Sequence, residues 1–122
     1  MSAAEIRTRL TDGAAVIYPG AYLNQLRGER IETVCQEFLD HGIRRIVVNF
    51  EETELINSIG ISILLGVIET VNNARGALVL SNLNNSNREL FEMLGLGAHV
   101  EMADSEELAL LSMSEETVGN AT

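Results

Sequence analysis

The chain reads as a single α/β domain, with helices covering a largely parallel or mixed sheet. Three observations carry this reading. The apolar runs Ile46-Val47-Val48 and Ala77-Leu78-Val79-Leu80 have strand length and no polar alternation, which marks strands buried on both faces. Segments with apolar residues at helical spacing alternate with these runs. No repeat, linker or low-complexity stretch divides the 122 residues, a length that suits one domain. The domain is expected over residues 1–113, followed by a polar, frayed tail over 114–122.

The elements follow in order. Glu5 to Leu10 alternate apolar and polar, and Ala14 to Tyr18 form a short apolar run. Asp12-Gly13 between them predicts a two-residue hairpin, and Pro19-Gly20 stops the second strand. Over residues 26–41, Ile31, Val34, Cys35, Phe38 and Leu39 fall on one helix face, and Gly42 reads as the stop. Arg44 to Phe50 form a buried strand, and Glu51 to Glu54 an acidic connection. A second helix runs from Ser58 to about residue 74, with Asn57 and Ser58 supplying its N-terminal capping chemistry, Leu64, Val67, Ile68 and Val71 as its core stripe and Gly76 as its terminator. The strand Ala77 to Ser81, an Asn-rich turn and a short helix with Leu90, Phe91 and Leu94 inward come next. Residues 98–102 suggest an edge strand. Asp104 or Ser105 then caps a last helix with Leu108 and Leu111 facing the core. The order is ββαβαβαβα.

Composition narrows the function classes. Eight basic residues, all Arg, stand against 18 acidic ones, for a net charge of −10. A phosphate backbone would repel such a surface, so nucleic acid is not an expected partner. The charge reads first as solubility, with a basic-surfaced protein partner as the functional alternative. The N-terminus has no apolar signal-like region and no run reaches membrane-spanning length, so no membrane insertion and a cytoplasmic location are expected. Cys35 lies on the apolar helix stripe and reads as a buried structural thiol.

Enzyme constellations are missing from the sequence. Without Lys there is no phosphate-binding P-loop and no phosphoacceptor receiver site. Gly60 and Gly66 have the wrong spacing for a dinucleotide fingerprint. His41, His99 and Cys35 lack metal-ligand spacing, and Glu51-Glu52-x-Glu54 reads as a solvated loop. No catalytic residue, cofactor or metal is therefore expected.

What remains is Leu55-Ile56-Asn57-Ser58-Ile59-Gly60-Ile61, which joins a buried strand to a helix. Ser58 has two readings. It is either a helix cap, worth about 1 kcal/mol, or a phosphorylation site, where helix amides would accommodate an added phosphate. Ile59, Ile61, Ile63, Leu64 and Leu65 crowd the first turns beyond the needs of one stripe. Either Ile61 or Leu65 is exposed as a contact patch, or the helix is wedged between the sheet and a neighbouring helix.

The stretch Arg44 to Gly66, RRIVVNFEETELINSIGISILLG, resembles the centre of STAS domains, particularly the bacterial anti-sigma factor antagonists. Those proteins show a strand, an acidic loop and Asp-Ser-Ser/Thr-Gly-Leu-Gly at a helix start. Here Asn57, Ser58, Ile59, Gly60, Ile61 and Ser62 stand in those places. Pro19-Gly20, Arg75 to Leu80, Arg88 to Gly97 and Asp104 to Ala109 are similar to further family segments, so the resemblance spans nearly the whole chain.

The resemblance implies a regulatory binding module that sequesters an anti-sigma factor, usually an ATP-dependent serine kinase. Ser58 would be the phosphoacceptor, and a metal-dependent serine phosphatase would reset the switch. It implies a contact surface of Tyr22, Leu23, Asn24 and Arg27 together with Asn57, Ser58, Ile59, Gly60, Ile61, Ser62 and Leu65. Two departures stand out. Asn57 replaces the family's Asp before the acceptor, and the loop after Gly20 is one residue longer, ending in Asn24 instead of Asp. Both remove negative charge from the docking face. They favour an alternative: a non-switching STAS scaffold or transporter-associated subunit in which Ser58 is only a cap. A third reading, an enzyme or small-molecule binder of this fold, is left open by fold alone. So is a homodimer formed through an apolar patch near Ile61.

Overall fold

The computed structural model describes the backbone of residues 6–121 and the side chains of residues 6–114. The chain begins with β1 (Arg7–Thr11), β2 (Ala14–Tyr18), β3 (Tyr22–Leu23), α1 (Gln25–Asp40) and β4 (Arg45–Asn49). It continues with β5 (Leu55–Ile56), α2 (Ser58–Asn73), β6 (Ala77–Ser81) and α3 (Asn85–Met93). A 3-10 turn (Leu96–Ala98), β7 (Glu101–Ala103) and α4 (Glu106–Ala121) complete it. The main sheet has the order β1-β2-β4-β6-β7, antiparallel between β1 and β2 and parallel elsewhere. This is the mixed, mostly parallel α/β sheet that the alternation of elements implies. At the β1–β2 turn Asp12 and Gly13 both take positive φ, 50° and 81°, as a type I′ hairpin requires.

Alternation along the three central strands divides the interior. Ala15, Ile17, Ile46, Val48, Leu78 and Leu80 face one side, where α1, α2 and α3 contribute Ile31, Leu64, Ile68 and Phe91 to the larger core. Phe91 meets Phe50 edge-on, with ring centroids 6.1 Å apart. Val16, Val47 and Val79 face the opposite side, against Ala109 and Met113 of α4. The stripe Leu64, Val67, Ile68 and Val71 is buried as its spacing predicts.

The ends of the helices show how the chain terminates each one. After α1, Gly42 takes φ 85°, its N–H bonds Leu39 O, and Ile43 N–H bonds Phe38 O, which is a Schellman stop. After α2, the left-handed residue is Arg75 (φ 63°), not Gly76. Gly76 has a different role: a Cβ there would lie 2.7 Å from Arg44 O, where the chain enters β6.

Several expectations are corrected. Leu108 and Leu111 of α4 are 50% and 53% exposed, and the inward residues are Ala109 and Met113. Ser105 caps α4 through Leu108 N–H (3.1 Å), and the phase of the helix then sets positions 109 and 113 over the valines. Leu94 is also exposed; Gly95 reverses the chain (φ 79°) and Leu96 enters the core instead. The edge strand starts at Glu101, not at residue 98, because Leu96–Ala98 is taken by the 3-10 turn. The backbone of α4 continues to Ala121, through the segment that reads as a frayed tail; the side chains of 115–122 lie outside the described residues.

Candidate functional site

β3 and β5 form a parallel two-stranded ribbon apart from the main sheet, pairing Tyr22 with Leu55 and Leu23 with Ile56. Each strand runs directly into an asparagine-capped helix. Asn24 Oδ1 accepts from Arg27 N–H (3.0 Å) to start α1, and Asn57 Oδ1 accepts from Gly60 N–H (2.8 Å) to start α2. The ribbon therefore sets two helix N-termini side by side. Asn57 crosses between them: its N–H bonds Leu23 O (3.0 Å) and its Nδ2 donates to the Tyr22 hydroxyl (3.2 Å). Gly60 allows this approach, because a Cβ on it would lie 2.5 Å from Leu23 O.

Ser58 is the first residue of α2, is exposed, and makes no side-chain hydrogen bond among the described residues. Asn57 does the capping, so the reading of Ser58 as the helix cap is corrected. The physical reason is that the cap residue needs extended backbone, and Asn57 has it (φ −94°, ψ 169°).

The expected contact residues separate into two groups. Tyr22 (41% exposed), Ile59 (49%), Ser58 and Ser62 are accessible, and Asn24, Asn57 and Leu65 are half-buried. Leu23, Gly60 and Ile61 are buried and support the face from beneath. The exposed patch expected at Ile61 or Leu65 thus lies at Ile59. Ile61 is drawn in because it falls in phase with Leu64, Ile68 and Val71 of the core stripe, while Ile63 packs against Gly28 of α1, 3.2 Å from its would-be Cβ. Arg27 is half-buried, and its Nη1 donates to Pro19 O (2.8 Å), bracing the end of β2. A groove of about 470 Å³ runs between the helix starts, lined by Tyr22, Asn24, Leu26, Glu29, Asn57 and Ile59. Leu26 (52% exposed) and Leu55 (63%) are accessible apolar residues that the sequence reading missed. Leu26 falls outside the α1 stripe and could have been found as an apolar residue out of phase. Leu55 sits on a strand too short to show a period.

The acidic connection is a fastened segment. Thr53 is buried and donates its hydroxyl to Gly20 O (2.7 Å), while Glu54 and Leu55 N–H converge on Ala21 O. Away from this face, Cys35 is buried, and loss of solvation pushes its thiol up to about 12. Among the described residues no group of three or more His, Cys, Asp or Glu is arranged to hold a metal ion, and no helix is long and apolar enough to cross a membrane.

The STAS domain model matches residues 5–109. The chain belongs to the STAS domain family. It is 30% identical over 98 residues to a Bordetella bronchiseptica protein assigned as anti-sigma factor antagonist BtrV, covering 80% of this chain and 84% of that protein. Its fold is similar to that of a Thermotoga maritima protein assigned as an anti-sigma factor antagonist, with TM-score 0.82 and 18% identity over 89% of this chain and 94% of that one. It is also similar to the phosphorylated form of the Bacillus cell fate determinant SpoIIAA, with TM-score 0.68 and 25% identity over 87% and 96% of the two chains. The STAS fold here is thus of the anti-sigma factor antagonist type.

Proposed function

We propose that this protein is an anti-sigma factor antagonist that binds an anti-sigma factor with ATP-dependent serine kinase activity, and that phosphorylation of Ser58 switches it off. The observation that carries the reading is the exposed Ser58 hydroxyl at the first position of α2, without a hydrogen bond among the described residues, beside a groove of mixed polar and apolar lining. Phosphate at that position would add about −1.5 to −2 charges next to the helix amides, which tolerate it. The same charge would desolvate poorly against a partner seated on Tyr22, Leu26, Leu55 and Ile59. The protein acts here as a binding module, not as an enzyme, and a metal-dependent phosphatase removes the phosphate.

Two measurements test this. Intact mass of the protein isolated from its own host, beside a Ser58→Ala control, should show one added phosphoryl group that the control lacks. Ser58→Glu should keep the wild-type urea midpoint and fail to capture the kinase that the unmodified protein captures. A Ser58→Glu protein that binds the kinase normally refutes the switch. The neutral Asn57 beside the acceptor favours one other reading, a constitutive STAS scaffold; no phosphorylated species under any growth or stress condition would establish it.

A further inference from the structure

The segment that delivers Ser58 is fastened from the opposite side of the sheet. Asn49 ends β4, is 3% exposed, and shares the α4 face with Val47 by alternation. Its Oδ1 accepts from Glu51 N–H (2.7 Å), and its Nδ2 donates to Glu106 Oε1 (2.9 Å) in the first turn of α4. The Tyr18 hydroxyl donates to the same Glu106 oxygen (2.8 Å), and the Arg9 guanidinium binds the other. Arg7 stacks over the Tyr18 ring at 4.0 Å and pairs with Glu52 (2.7 Å). Residues 51–57 are therefore held at one end by the β3 segment and at the other by the Asn49 amide, beside the Arg7–Glu52 pair and a bond from Thr53 N–H to Phe50 O (2.9 Å).

An amide engaged at both ends has one orientation. Without an acceptor for its Nδ2, Asn49 is free to turn, and the Glu51 N–H loses a fixed partner. We infer that Glu106 is a positioning residue for the Ser58 segment, acting through Asn49, so that the first turn of α4 and the partner face are coupled. Its regulatory meaning rests on the proposed role of Ser58; the coupling itself does not. Coupling of this kind is reciprocal, so a charge at residue 58 is also felt at α4.

Amide hydrogen exchange by NMR on the full chain, with no partner or phosphate present, tests it. Glu106→Ala should raise exchange at Glu51 about tenfold relative to the β4 and β6 amides. Glu106→Gln keeps an oxygen for Asn49 and should restore most of the protection. Glu106→Asp, one methylene shorter, should fall between them and serves if the alanine variant does not fold. Met113→Ala loosens α4 against Val16, Val47 and Val79 while keeping Glu106, and should leave the ratio unchanged. Failure of Gln to rescue, or an equal local rise in Met113→Ala, overturns the coupling. Because Ser58 need not be modified, this result is independent of whether the phosphorylation switch exists.

Discussion

Two glycines in α2 offer a matched test of how the ribbon holds the two helix starts together. Gly66 has nothing within 4 Å of its would-be Cβ, whereas a Cβ on Gly60 would lie 2.5 Å from Leu23 O and 3.1 Å from Leu23 Cγ. Alanine in an open helix interior is favoured over glycine by about 1 kcal/mol. Gly66→Ala should therefore stabilise the protein by roughly 0.5–1 kcal/mol. At Gly60 the same gain is opposed by a collision with backbone. Leu23 O cannot retreat freely, because it accepts from Asn57 N–H at 3.0 Å and Leu23 itself is fully buried. Overpacking typically costs about 1–3 kcal/mol, and loss of that hydrogen bond about 1 more. After the helix gain, Gly60→Ala should be destabilising by about 1–3 kcal/mol. Urea unfolding reads both variants: with a slope of about 1–3 kcal/mol/M, the two midpoints should move in opposite directions by several tenths of a molar or more. A Gly60→Ala protein as stable as Gly66→Ala would refute the claim that α2 is locked against β3.

Three further outcomes follow from the same geometry. Asn57→Ala removes the α2 cap and the bond to Tyr22 and should cost about 1–2 kcal/mol in thermal or urea unfolding, while Ser58→Ala should stay within about 0.5 kcal/mol of wild type. Burial pushes the Glu106 carboxyl up, but hydrogen bonds from Asn49 and Tyr18 and the charge of Arg9 outweigh it and hold the group below its ordinary value. A lowered folded pKa contributes stability above the unfolded value of about 4.5, lost as pH falls through the folded one, so urea midpoints should drop on acidification through this range and Glu106→Gln should flatten the drop. Cys35, buried with its thiol raised to about 12, should be inert to thiol reagents in the native protein at pH 8 and react only on unfolding; rapid native labelling would contradict its burial.

Much of this architecture was legible in local patterns. β6 runs over Ala77–Ser81 and α2 starts at Ser58, because uninterrupted β-branched and aliphatic runs and a regular 3.6-residue stripe each have one good solution in a layered fold. The Asp12-Gly13 hairpin is dictated by two residues that accept positive φ.

Tertiary contacts decided the rest. The phase of α4 follows from which residues meet Val16, Val47 and Val79, and periodicity offered the larger leucines where Ala109 and Met113 fit. Ile63 packs against Gly28 of α1 while Ile59, one turn earlier on the same side, stays exposed in the groove between the helix starts, a difference that belongs to two helices at once. The β3–β5 ribbon pairs residues 33 positions apart, Tyr22 with Leu55, on strands of two residues each. Strands that short carry no period, so only the folded chain shows that two asparagine caps stand side by side and leave Ser58 free. Sequence spacing determined which residues form the long helices and the longer central strands, since backbone hydrogen bonding and burial of one face are local demands. Which side chains reach the surface depended on packing between elements, whose partners lie far apart in the chain.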